Sequence, residues 1–407
     1  MRKSVIITLC LVAIASTSCG SKAKEITVNA GKYARKDCVV KVELKKAFKN
    51  PVLVETKNGV QTPTDFQYIS DDGKNWIYFT LTGNTAAGAT RTYELSKGKA
   101  TKAAPEMNVV DDGDNIILKS GNKEIMSYRY TTNISPEGVS HRFDRSGYIH
   151  PAKTPSGFVY TNIQPVDHRH HYGIWNPWTR VEYDGKVYDL WNLGDSLGTV
   201  RANTIDDSYE GSIVSGFNAS LNHVAFTPGG ETTIMKEEWK IKAVDQGEGF
   251  LWDFESVLEP TTDLPVTIKA YRYQGFSCRA TAYWTKENCE MMTSEGLTRP
   301  DIDGSTARWI YVNGASSETT KAGFMFMATP ENYNSPEPLR IWNEFQNRGR
   351  GDVYVNFCPT KTVDWNLEPG KTYNLRYRVM AYDGEMTPEN AERLWTDFVY
   401  PPEVTVK

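Results

Sequence analysis

The stretch that most constrains this chain is residues 232–244, TTIMKEEWKIKAV, where apolar and charged side chains alternate over most of its length. A period of two places Met235, Glu237, Trp239 and Ile241 on one face, and Lys236, Glu238, Lys240 and Lys242 on the other. Such a segment is a strand with one wet face and one buried face. Shorter β-branched and aromatic runs repeat the theme at residues 76–82, 123–130, 250–258, 322–328, 352–357 and 371–383, and turn pairs such as Asp112-Gly113, Gly229-Gly230, Asp303-Gly304 and Pro369-Gly370 separate them. Many short strands with this punctuation predict an all-β chain, a large antiparallel β-sandwich. One helix is expected near the end. There Thr387 is a cap, Pro388 takes the first helical position, and Ala391, Leu394, Trp395 and Phe398 recur at helical spacing. Residues 25–103 read as an N-terminal β region, 96–105 as a polar connection and 104–407 as the main sandwich.

The N-terminus reads as a targeting segment. Arg2 and Lys3 precede an apolar run over residues 5–15, then Ser16-Thr17-Ser18 and Cys19-Gly20. The run is too short to span the ~30 Å hydrocarbon core of a bilayer, so residues 1–18 are expected to be a secretory signal peptide. Cys19, directly after three small residues, resembles a bacterial lipobox cysteine. Its lipidation would make residues 19–24 a tether and the protein a lipoprotein, membrane-anchored in the periplasm or cell envelope through that lipid alone. With 46 basic and 50 acidic side chains the chain lacks the basic excess a nucleic-acid partner requires. Beyond Cys10 and Cys19, the spacing of Cys38, Cys278, Cys289 and Cys358 fits no metal or disulfide framework. Buried thiols acting as small hydrophobes are the expectation.

The chemistry is concentrated in one block. Five of the six histidines fall between residues 141 and 171, and the densest piece is PVDHRHHYGIW over residues 165–175. If that piece is extended, His168 and His170 share one side and His171 takes the other. Paired imidazoles suit acid–base catalysis or a metal. Asp167 fits as the partner that fixes a tautomer, and Tyr172 as a further proton acceptor. No cofactor is required by the sequence. A divalent metal would draw on His150, His168 and His170, although no zinc-type spacing is present. Glu237, an acid on an apolar face, is a candidate general acid or an ion-pair partner. Arg142, Arg272 and Arg308 lie among aromatics and match a carboxylate with paired hydrogen bonds. Trp175 and Trp178 follow the histidines, where flat sugar faces would stack on their rings. Dinucleotide, phosphate-loop, nucleophile-elbow and H-E-x-x-H motifs are absent from the sequence.

From Tyr148 the chain reads YIHPAKTPSGFVYTNIQPVDHRHHYGIWNPW. Through His150, Pro151, Pro155, Gly157, Thr161, Pro165, Asp167, His168, His170, His171, Gly173, Ile174 and Trp175 it resembles a bacterial family labelled PmoA-like or "methane oxygenase", a domain of unknown function. The likeness covers roughly residues 107–400 and departs from the family pattern at Arg169 and Tyr172. A membrane methane monooxygenase subunit is built of transmembrane helices, and after the leader this sequence has no run long enough for one. The resemblance instead implies a β-sandwich (supersandwich) of the galactose-mutarotase-like kind with one C-terminal helix. The N-terminal region is also similar to that of a family that includes a sugar dehydratase acting on ulvan fragments. The implied function is an exported carbohydrate-active enzyme working on oligosaccharides from polysaccharide breakdown. A lyase or dehydratase elimination on a uronic acid is the leading reaction, with glycoside hydrolysis by Glu237 and a second carboxylate behind it. The alternatives are a non-catalytic glycan-binding lipoprotein and oxygen chemistry at a histidine-bound metal.

Overall fold

The computed structural model describes residues 2–3, 6–9, 23–71, 74–98 and 106–407. Cys19 and most of the leader lie outside the described residues, as do residues 99–105 of the polar connection.

The alternating segment is the strand Gly230–Asp245, and its burial follows the expected period: Met235, Glu237, Trp239 and Ile241 are inside, while Lys236 is exposed. It sits near the middle of an antiparallel sheet running Gly198–Tyr209, Ser215–Thr227, Gly230–Asp245, Gly249–Pro260, Tyr373–Asp383, Lys321–Ala328, Trp309–Ala315 and Cys289–Thr293, with Arg2–Lys3 parallel at one edge. A second sheet faces it, in the order Met107–Asp111, Asn115–Ser120, Lys123–Arg129, Tyr148–Ala152, Ile174–Trp175, Ser277–Arg279, Tyr354–Phe357 and Leu339–Ile341. One hydrophobic cluster draws from both sheets, including Tyr128, Ile149, Phe217, Trp239, Phe254 and Phe276. Each large side chain fully buried there contributes about 1.5–3 kcal/mol. The architecture is therefore the expected all-β antiparallel sandwich. The helix Pro388–Val399 is capped by the Thr387 hydroxyl and lays Ala391, Leu394, Trp395 and Phe398 on the outer face of the first sheet, against Trp309, Met325, Met327 and Met380. Among the described residues, no helix is long and apolar enough to cross a membrane. Cys38, Cys278, Cys289 and Cys358 are free and buried.

Residues 24–97 build a smaller sandwich with its own core of Ile26, Val40, Phe66, Ile77, Phe79 and Tyr93. The strand Glu403–Val406 returns to pair with Lys24–Asn29, so both ends of residues 24–407 meet in it. A buried ion pair, Arg35 Nη1 to Asp397 at 2.7 Å, ties it to the C-terminal helix.

Candidate functional site

The histidine block is not extended. His168 N–H donates to the Pro165 carbonyl (2.9 Å) and His171 N–H to the His168 carbonyl (3.0 Å), which makes two consecutive turns. The reversal begins at Gln164, whose φ of 44° is left-handed. Its side-chain amide offsets that strain by donating, all within 3.1 Å, to Ser135 Oγ, the Phe143 carbonyl and the Tyr172 hydroxyl. Arg169 straps the loop to the Gln164 carbonyl at 2.7 Å. At its far end Gly173 (φ 53°) passes so close to the next strand that a Cβ there would lie 2.2 Å from the Ile149 carbonyl oxygen. Turning the chain places all three imidazoles together where an extended strand would have split them. Ring centroids are 5.6 Å apart for His168–His170, 4.7 Å for His168–His171 and 4.9 Å for His170–His171.

These rings line one cavity of about 250 Å³ with Trp191, Asn192, Arg272, Tyr273, Arg340, Trp342, Gln346, Asn347 and Tyr354. His171 forms its inner wall, packed on Trp175, Trp342 and Tyr354. Burial holds the His171 pKa well below the ordinary value, with help from the neighbouring His170 ring and the Arg279 charge. His170 is pushed down to about 4, mainly by burial and then by His168. Both rings are therefore neutral at pH 7. His168 Nδ1–H donates to Asp167 Oδ2 at 2.8 Å, which fixes its tautomer and leaves Nε2 as the basic atom. Burial works against the charge of Asp167, but the His168 hydrogen bond and the Arg279 charge outweigh it and hold its pKa below the usual carboxylate value. The Arg279 guanidinium lies over the Trp342 ring (4.7 Å), with Nη2 3.6 Å from both Asp167 and Asp352. Of the two cavity arginines, Arg340 is paired with Asp303, and Arg272 has no carboxylate partner among the described residues.

The other sequence candidates lie elsewhere. Glu237 is sealed in the core, 1% exposed, with His223 Nε2–H (2.8 Å), Asn176 Nδ2 (2.7 Å) and Ser256 Oγ (2.5 Å) all donating to its carboxylate. Among the described residues no arginine pairs with it, and it does not line the histidine cavity. Tyr172 is buried and donates to the Phe143 carbonyl, and burial pushes its pKa up to about 12. His150 shares a hydrogen bond with Thr161 Oγ1 (2.8 Å) and does not line the cavity. Among the described residues, no three His, Cys, Asp or Glu side chains are grouped to hold a metal ion. Trp175 and Trp178 are core residues; Trp191 and Trp342 line the cavity instead, Trp191 itself fully buried and Trp342 keeping some exposure. Arg308 is bound to Glu392 (2.7 Å) and lies over Trp395 (4.3 Å), beside the C-terminal helix. Arg142 borders a different cavity.

Fold and site together define a large antiparallel β-sandwich protein with a polar, histidine-lined cavity. The chain belongs to a family of unknown function, DUF6807, whose model matches residues 115–396. No curated protein matches it. Among solved structures, a protein in the glycosyl hydrolase family 38 from Enterococcus faecalis aligns over 95% of this chain and 47% of its own, at 9% identity and a TM-score of 0.51. An alpha-mannosidase from Enterococcus faecalis V583 covers 96% and 46%, at 10% identity and 0.49. A galactose mutarotase related enzyme from Lactobacillus acidophilus covers 68% and 97%, at 10% identity and 0.32. The chain spans about half the length of the two Enterococcus structures. At 9% identity the family 38 likeness is one of fold alone.

Proposed function

We propose that this protein is a carbohydrate-active enzyme that catalyses elimination on a uronic-acid-containing oligosaccharide, with His168 as the base. The observation that carries this reading is His168, held by Asp167 from behind, on the wall of a cavity that also holds Arg272, a guanidinium with no carboxylate partner of its own among the described residues. Arg272 would take the sugar carboxylate through paired hydrogen bonds and make the adjacent carbon more acidic. His168 Nε2 would remove the proton from that carbon. The electron pair left behind forms the new carbon–carbon double bond, and the substituent on the neighbouring carbon departs with its bonding pair and is protonated. Trp342 and Tyr273 offer aromatic surface for the sugar ring.

Hydrolysis has less support. Glycosidases place two carboxyl groups about the scissile bond, whereas no aspartate or glutamate lines this cavity among the described residues and Glu237 is enclosed. The fold shared with a glycosyl hydrolase family protein supports a saccharide ligand in general terms.

The test is incubation with uronic-acid oligosaccharides, followed by ultraviolet absorbance and mass spectrometry. A conjugated double bond should appear with the wild type and not with His168→Ala. Binding without product would sink the enzyme reading and leave a glycan-binding module. The reading of the leader and Cys19 puts this work at the cell envelope. Cys19→Ser should then move the protein out of the membrane fraction, and unchanged membrane association would contradict it.

A further inference from the structure

One cation in the interior has no counter-ion at contact among the described residues. Arg145 is 2% exposed, and its Nε has no hydrogen-bond partner. Nη1 is 3.5 Å from the Leu190 carbonyl, the outer limit of a hydrogen bond. Its guanidinium otherwise rests on the Tyr172 ring at 5.6 Å. Burial lowers its pKa to about 10, so it is charged at neutral pH. The Glu237 carboxylate acts on that charge, but it is itself bound to His223, Asn176 and Ser256. A buried charge without a partner is costly enough that the fold would ordinarily dispense with it.

Arg145 lines a cavity of about 340 Å³ with Arg142, Arg201, His141, Ser146 and Thr199. Asp144 also lines it, and both this carboxylate and Arg201 are engaged elsewhere. Glu231 holds Arg201 (2.8 Å), while Asp144 accepts from the Ser135 N–H (2.8 Å) and meets His141 Nδ1 at 3.0 Å. Arg142 is exposed and its guanidinium gives one hydrogen bond, to the Gly194 carbonyl at 3.3 Å. Two guanidinium groups, one buried and one exposed, therefore border the same space, and among the described residues neither is paired with a carboxylate.

We propose that this cavity binds an oxyanion (a carboxylate, sulfate or phosphate group) between Arg145 below and Arg142 at the rim. A guanidinium fork meets two oxygens of such a group at once, and exclusion from water strengthens the contact. The site is distinct from the histidine cavity and does not depend on any chemistry there. The two are neighbours, since Trp191 and Asn192 line the first while Leu193 and Ser196 of the same loop line the second. An acidic chain reaching across that loop would place an anion here, and a free inorganic anion would satisfy the same groups.

Calorimetric titration of the full chain decides the matter, with sodium sulfate, with glucuronate, and with sodium chloride at matched ionic strength as the blank. Saturable binding of sulfate identifies a site for free oxyanions, and binding of glucuronate alone identifies one for sugar-borne carboxylates. Either supports the proposal if affinity falls roughly tenfold in Arg142→Gln and is lost in Arg145→Gln, because each variant removes a charged hydrogen-bond donor. No saturable binding of either anion overturns it. So does unchanged affinity in Arg142→Gln, a surface variant that decides the question even if Arg145→Gln fails to fold.

Discussion

Replacing His170 with glutamine tests whether the cavity holds its imidazoles neutral. In the folded protein burial takes the His170 pKa from 6.5 to about 4. In the unfolded chain the ring protonates near its ordinary value. Between those two pH values the unfolded state binds a proton that the folded state refuses, so stability falls as pH falls, by about 1.4 kcal/mol per pH unit. Above pH 6.5 the contribution is fully present; below about 4 it is gone. From pH 7.5 to 4.5 this one ring should therefore remove about 2–3 kcal/mol, less whatever solvent at the cavity mouth screens. His170→Gln keeps a polar side chain but cannot titrate. Urea denaturation of both proteins at pH 7.5 and 4.5 gives the difference directly, since carboxylate effects common to both cancel. The variant should lose about 2–3 kcal/mol less than the wild type on acidification. Equal losses would mean that His170 protonates in place, and that the cavity is wetter and more anionic than its geometry indicates.

Three further outcomes are expected. Glu337 is completely buried, with burial pushing its pKa up to about 8 while Asn332 and Tyr377 hydrogen-bond it, so its contribution is present at pH 4.5 and is lost as pH rises through 8; Glu337→Gln should flatten that decline in the same denaturation assay. Gly173→Ala combines a left-handed φ with a 2.2 Å approach to the Ile149 carbonyl, and should cost at least about 2 kcal/mol in thermal unfolding while disturbing the histidine loop. Asp167→Asn removes the carboxylate that orients His168, and should slow elimination by ~10²-fold or more with little change in KM, as measured by ultraviolet absorbance.

What was legible in the sequence was local. The strand Gly230–Asp245 follows its alternation from Met235 to Ala243, and Thr387 and Pro388 start the helix as their chemistry requires. Asp112-Gly113 and Pro369-Gly370 do turn, with Gly113 and Gly370 in the left-handed region. The same alternation put Glu237 on the buried face but could not name its partner, because His223 reaches it across the neighbouring strand. The extended form considered for the histidine block fails because its reversal rests on Gln164, a residue that seldom adopts positive φ and does so here under three hydrogen bonds from its own side chain. Nearness in sequence to the histidines suggests Trp175 and Trp178 as sugar platforms. Packing makes them core, and the cavity's walls come instead from Trp191, Arg272, Tyr273, Arg340 and Trp342, which no local pattern joins to residues 168–171.

The claim on which the rest depends is that His168, His170 and Arg272 border one space that accepts an acidic sugar. Imidazole NMR spectra recorded while a glucuronate oligosaccharide is added test it most directly, with a neutral oligosaccharide of equal length as the control. The acidic sugar should shift the His168 and His170 signals saturably, the neutral one should not, and Arg272→Ala should abolish the response. Signals that stay still while the acidic sugar binds, or that respond equally to both sugars, would contradict the account.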